Sequence, residues 1–295
     1  SNMLLSSQGL KDKITLIDYL DINCYQDLAK LTEFTSLRCL VTRMDYWHPQ
    51  YQPVIISNPF LEKLEISLVW IGTSCLAQIQ LPLYLRTLVL KLDYDEDLQE
   101  LVQTSIIAQI KQMDRLRSLS WESGKYNSNI WLNELPSLPQ NIETLAVTTR
   151  MDKRLDKQVI SLGNRPYLKR VKIEFFRPEN LKIREIILNE QLSNLEELDV
   201  TFVNIGMDIS KLPGLLNYNT FRSLRIGTPS GCYSDSEFIF FISGFTKFTK
   251  IEVLCVKGKM LKQNRKKIKL ASVVLELIMN LRRLTTLILV IKSGS

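Results

Sequence analysis

Acid–base or metal chemistry at neutral pH most often begins with histidine. This chain of 295 residues contains one, His48. A lone imidazole excludes any two-histidine metal site and leaves at most one histidine base. It lies in Tyr46-Trp47-His48-Pro49-Gln50-Tyr51-Gln52-Pro53, with no acidic neighbour on the stretch after Asp45. The prolines and rings read as a loop ordered by packing, with a loop-borne contact site as the alternative. The five cysteines, Cys24, Cys39, Cys75, Cys232 and Cys255, are odd in number and never spaced as CxxC. Neither a disulfide framework nor a zinc site fits, and the expectation is buried thiols in a reducing compartment. No GxGxxG, GxxxxGK[ST] or GxSxG run occurs, so dinucleotide, P-loop and hydrolase-elbow chemistries have no anchor. The acidic cluster Asp93-Tyr94-Asp95-Glu96-Asp97 lacks calcium-loop spacing. It reads as the acidic start of a helix near Leu98, favoured by the helix dipole. No catalytic residue, cofactor or metal ligand is assigned, and the expectation is a protein that is not an enzyme.

Charge is concentrated. Lys257, Lys259, Lys262, Arg265, Lys266, Lys267 and Lys269 form a run without an acid. The chain's formal net charge is +7, so the rest of the molecule sums to zero. The run reads as a solvated insertion, as a nuclear-import signal around Arg265-Lys266-Lys267-Ile268-Lys269, or as a contact for nucleic acid or anionic lipid. It has no aromatic residue to stack on bases, and a nucleic-acid binder should show a broader basic face.

The composition, 45% hydrophobic and 23% charged with eleven Gly and ten Pro, suits a folded chain and excludes disorder. No apolar run reaches the roughly 18 residues of a membrane-spanning helix. Ser1-Asn2 before Met3 reads as a processing scar and enters no fold argument. Without a glycosylation sequon or signal core, the expected location is intracellular, cytoplasmic or nuclear.

The elements that position these residues emerge from an internal repeat. The pattern apolar-x-x-apolar-x-apolar recurs as Leu37-Leu40-Thr42 (degenerate), Leu61-Leu64-Ile66, Leu85-Leu88-Leu90, Leu116-Leu119-Trp121 and Ile142-Leu145-Val147. It continues as Leu168-Val171-Ile173, Leu195-Leu198-Val200, Phe221-Leu224-Ile226, Ile251-Leu254-Val256 and Leu284-Leu287-Leu289. The starts lie 24, 24, 31, 26, 26, 27, 26, 30 and 33 residues apart. The last two apolar positions alternate as in a strand and share one face. No single repeat can bury its apolar edge, so neighbours must stack. Helical spacing in the longer gaps predicts helices from Leu98 to Gln109, near Glu237 to Ile242, and across Leu270 to Met279.

With these ten recurrences the chain resembles the leucine-rich repeat family from about Leu37 to Leu289. The resemblance implies an α/β solenoid of about ten repeats over residues 37–295, with a parallel sheet on the concave face and helices or loops on the convex face. The family's asparagine, three residues after the last strand anchor, is absent; Val69, Asp93, Gly124, Arg150, Phe176, Val203, Pro229 and Lys259 stand there. The unequal repeats are similar to intracellular fungal F-box-type members. Residues 4–36 read as a cap, either a helix or a worn first repeat, or as a degenerate F-box carried by Ile14 to Ile22 and Asp27 to Leu31.

Register then names the surface. The residue between the strand anchors faces outward, giving Glu65, Val89, Ser120, Ala146, Lys172, Asp199, Arg225, Cys255 and Ile288. Two residues earlier lies a second column with Arg170 and Glu197. Charge alternates in blocks: Lys169, Arg170 and Lys172; Glu196, Glu197 and Asp199; Arg222 and Arg225. This is either a self-satisfying ladder or a patterned interface. Leu68, Leu92, Phe175 and Phe202 are read as outward just past the strands, as exposed contacts or as groove filler. The candidate partner-binding set is Arg170, Lys172, Phe175, Glu197, Asp199, Phe202, Arg222 and Arg225.

The leading expectation is therefore a protein–protein interaction scaffold. An F-box-type substrate receptor of a ubiquitin ligase, docking an adaptor through the N-terminal segment, is the alternative; association with nucleic acid or an anionic membrane through the basic run comes third. The apolar final strand, Leu287 to Ile291, lacks a polar cap, which predicts a fragment, a covering partner or self-association.

Overall fold

The computed structural model describes residues 11–21, 31–47, 56, 58–71, 80–93, 99–123, 133–150, 159–162, 165–176, 185–187, 193–201, 212–233, 235–260 and 267–293. The chain is α/β and divides into two compact units, Ser1–Arg150 and Met151–Ser295.

In the first unit, strands β1 (Leu16–Asp21), β2 (Cys39–Trp47), β3 (Lys63–Ile71), β4 (Thr87–Asp93), β5 (Ser118–Ser123) and β6 (Thr144–Arg150) lie side by side in sequence order. Every pairing is parallel. Helix α1 (Gln99–Ile110) fills the return before β5. In the second unit, β7 (Val159–Ser161) pairs in parallel with β9 (Glu185–Ile187). The larger parallel sheet runs β8 (Arg170–Phe176), β10 (Glu197–Thr201), β11 (Ser223–Tyr233), β12 (Val253–Met260) and β13 (Thr286–Ser293). Helices α2 (Leu212–Leu215) and α3 (Asp235–Gly244) flank β11, and α4 (Lys267–Asn280) follows β12.

A parallel neighbour requires a crossover, and the 24-to-33-residue spacing of the repeats supplies one each time. The stacking rule is visible in the backbone. The carbonyl just before a strand accepts two N–H groups from the next repeat, using both of its lone pairs. Arg38 O receives Glu62 N at 2.8 Å and Lys63 N at 2.9 Å, and Glu62, Arg86 and Arg117 carry the same fork onward. Lys169, Glu196, Arg222 and Glu252 repeat it in the second unit. A tight turn closes ahead of each fork, as where Leu61 N donates to Asn58 O and Leu116 N to Met113 O.

The cores follow the repeat. Leu64, Ile66, Leu88, Leu90, Leu119, Trp121, Leu145 and Val147 are all buried in the first unit, where Ile106, Ile107 and Ile110 of α1 close the space behind them. Burying each such side chain contributes about 1.5–3 kcal/mol before entropy is counted. In the second unit the filler is aromatic. Phe241 and Phe245 meet edge to face at 5.1 Å between ring centroids, and Phe248 lies 4.9 Å from Phe245 and 6.0 Å from Phe221. At Gly244 a Cβ would stand 2.7 Å from Pro213 Cγ, so α2 packs here on bare backbone. The last anchors, Leu284, Leu287 and Leu289, are only half-buried, because β13 has one strand neighbour.

Several expectations change. Of the two forms of cap, Leu16–Asp21 takes that of a worn first repeat, a strand paired with β2, and not that of a helix; residues 22–30 of the F-box-like stretch lie outside the described residues. Leu68 and Leu92 are buried, at 1% and 2% exposure. They continue the inward alternation of Leu64-Ile66 and Leu88-Leu90 by one more step, so their side chains pack and do not form an exposed patch. Cys39 and Cys255 are free thiols that sit half-buried on the outward columns, not in the cores. Burial pushes the Cys39 thiol up, with Lys63 opposing. The three helices fall where the spacing placed them, each a few residues longer or shifted by one.

Candidate functional site

The outward face of the second unit's large sheet is set by its register. Lys172 of β8 is level with Asp199 of β10, which is level with Arg225 of β11, then Cys255 of β12 and Ile288 of β13. Arg170 and Glu197 pair one step earlier. One step later stand Glu174, Thr201, Gly227, Lys257 and Val290. This third column was not part of the repeat motif, which stops at the second strand anchor; continuing the two-residue alternation past Val200 and Val256 reaches it.

Three of the predicted residues, Lys172, Asp199 and Arg225, therefore sit on adjacent strands. Lys172 Nζ lies 2.9 Å from Glu174 Oε2, two residues along the same strand. Arg222 is not on the face: it belongs to the row just before the strands, where its Nε is 4.0 Å from Glu196 Oε2. Phe175 lies in β8, and Phe202 lies outside the described residues. The basic run is split between elements. Lys257 and Lys259 belong to β12, Lys267 and Lys269 open α4, and Lys262, Arg265 and Lys266 are outside the described residues. His48 is outside them too.

Asp199 is the electrostatic centre. Burial pushes its carboxyl up; Lys172 and then Arg225 pull it back, Glu174 adds to the rise, and Lys257 opposes it. Beside it opens a pocket of about 330 Å³, with Arg225, Lys257, Cys255 and Gly227 around it and Val253, Thr286 and Ile288 as its far wall. Gly227, without a side chain, lines this space next to the long arginine. Charged groups bordering an apolar wall can orient and hold a ligand or a partner's side chain.

Among the described residues, no three His, Cys, Asp or Glu side chains are placed to hold a metal ion. No described helix is long and apolar enough to cross a membrane. No protein-family model matches the chain, and no curated protein matches it.

Proposed function

We propose that both units are leucine-rich-repeat arrays, that each sheet's outward face is the concave side of its array, and that the protein is a non-enzymatic scaffold whose second unit binds a partner protein. The observation that carries this reading is the in-register row Lys172–Asp199–Arg225, ending in a pocket walled by Val253 and Ile288. A row of alternating charges at about 5 Å strand spacing can select a partner surface of complementary pattern. The exposed ion pairs along it contribute little stability, about 0–1 kcal/mol each, so its residues are available for recognition.

The test is affinity purification from host cells with wild type and the triple variant Lys172→Glu/Asp199→Lys/Arg225→Glu. Loss of one stoichiometric partner from the variant supports the reading. Retention of every partner places binding elsewhere, at the loop around His48, the basic run or the open edge of β13. Lys91→Glu on the first unit's face serves as the control and should leave the partner bound.

A further inference from the structure

We propose that the pocket beside Arg225 receives a carboxylate carried next to an apolar side chain on a peptide segment of the partner; this rests on the reading that the second unit's outward face binds a protein. The three outward rows that run from Ser223–Val253–Thr286 to Gly227–Lys257–Val290 hold two cations, Arg225 and Lys257, and no acid. The nearest acid, Asp199, stands at the β10 side of the pocket, and the cation that acts on it most strongly is Lys172, on the strand beyond. The pocket's lining beyond Asp199 is thus cationic.

The guanidinium of Arg225 is exposed and makes no hydrogen bond or ion pair to a described residue. Its planar fork presents two parallel N–H donors, which match the two oxygens of a carboxylate. Gly227, one outward step further along β11, removes the side chain that would otherwise crowd that fork. The opposite wall is largely aliphatic: Val253 and Ile288 line the pocket beside Thr286, and Ile288 is 40% exposed. A ligand that satisfies both sides has its negative charge on Arg225 and its apolar neighbour on Ile288. Asp199 repels a second acid at the β10 end, which favours one carboxylate over an acidic run.

The experiment selects phage-displayed random dodecapeptides on the full chain, once as internal segments and once with free C-termini. Selected sequences are then synthesised and measured by fluorescence polarisation. The expected pool carries a single Asp or Glu, or a C-terminal carboxylate, within two residues of Leu, Ile, Val or Phe; the two libraries separate those sources. Arg225→Glu should weaken binding on the order of tenfold, and used as bait it should select Lys or Arg in place of the acid. The substitution is at the surface, and an unchanged thermal melt confirms the fold. A pool lost in the triple variant yet not enriched in carboxylates overturns this proposal while leaving the face as an interface. Acidic peptides that bind Arg225→Glu as well as wild type overturn it too, and place their site elsewhere.

Discussion

The two units stack their repeats in the same way yet present opposite outward faces. In the first, the level row is Val41, Glu65, Val89, Ser120 and Ala146, largely neutral. Its conspicuous charges are spent on each other: Lys91 Nζ lies 2.7 Å from Glu65 Oε1, a bond that is the main reason the Lys91 ammonium is held above its usual value. In the second, the same row carries Lys172, Asp199 and Arg225, and the carboxylate at its centre is partly desolvated. Strand anchors and the forked carbonyls answer to the core and to the neighbouring repeat, so they recur. Outward residues answer to neither, and they are where two copies of one architecture can diverge in function.

If the shared architecture is what holds each unit, the largest effects should come from the cores and be alike in both. Trp121→Ala and Phe245→Ala each empty a fully buried site, and each should cost about 3–5 kcal/mol. Guanidinium denaturation followed by circular dichroism measures both. A cost below about 1 kcal/mol for either would mean that its unit collapses around the cavity and does not depend on that side chain.

The stitching between repeats differs from one junction to another. Asn58, at 2% exposure, donates through Nδ2 to Leu31 O at 3.0 Å and Phe34 O at 2.9 Å, while its Oδ1 accepts Phe60 N at 2.9 Å. In the second unit the exposed Asn194 donates to Pro166 O. Asn58→Ala removes one donor from each of two buried carbonyls, which keep Phe34 N and Leu37 N, and leaves Phe60 N without its acceptor; it should cost about 1–3 kcal/mol, against about 0.5–1 for Asn194→Ala. The same denaturation series decides it, and equal costs would remove the distinction.

These asparagines also mark how far the sequence could be read. In all ten triplets the last two positions fall on a strand and the first stands two residues ahead of it, and nine triplets are buried at every anchor, because period-two alternation and inter-strand spacing leave few alternatives. The family's asparagine would stand after each strand, whereas the side-chain stitching here stands before it: Ser36, Asn141, Asn194 and Thr220 each lie one residue ahead of the first anchor and donate to a carbonyl of the preceding repeat. Such a ladder needs only a donor of the right reach, so no single residue type announces it. Strand β1 escaped because its register shifts between Ile17 and Leu20, which breaks the motif's spacing by one residue. The row Lys172–Asp199–Arg225 was legible from alternation alone. The pocket beside it was not, since Gly227 matters there for what it lacks.

The smallest effect should be a difference of sign. Glu134 in the first unit accepts hydrogen bonds from Lys111 Nζ at 2.6 Å and Ser137 Oγ at 2.7 Å, which hold its carboxyl below the usual range. A carboxylate lowered in the folded state adds stability that is present above its unfolded pKa and is lost as pH falls through the folded value. Asp199 runs the other way. Its raised pKa means the folded state binds its proton more tightly than the unfolded chain does, so stability declines as pH rises from about 4 through the folded value. Denaturation midpoints between pH 3 and pH 7 should therefore fall on Glu134→Gln only at the upper end, the variant converging with wild type in acid. Asp199→Asn should be slightly more stable than wild type at the upper end and converge with it in acid. If Asp199→Asn were instead less stable at neutral pH, attraction to Lys172 and Arg225 would outweigh desolvation. The row would then be a self-satisfying ladder like Lys91–Glu65, and the contrast between the two faces would disappear.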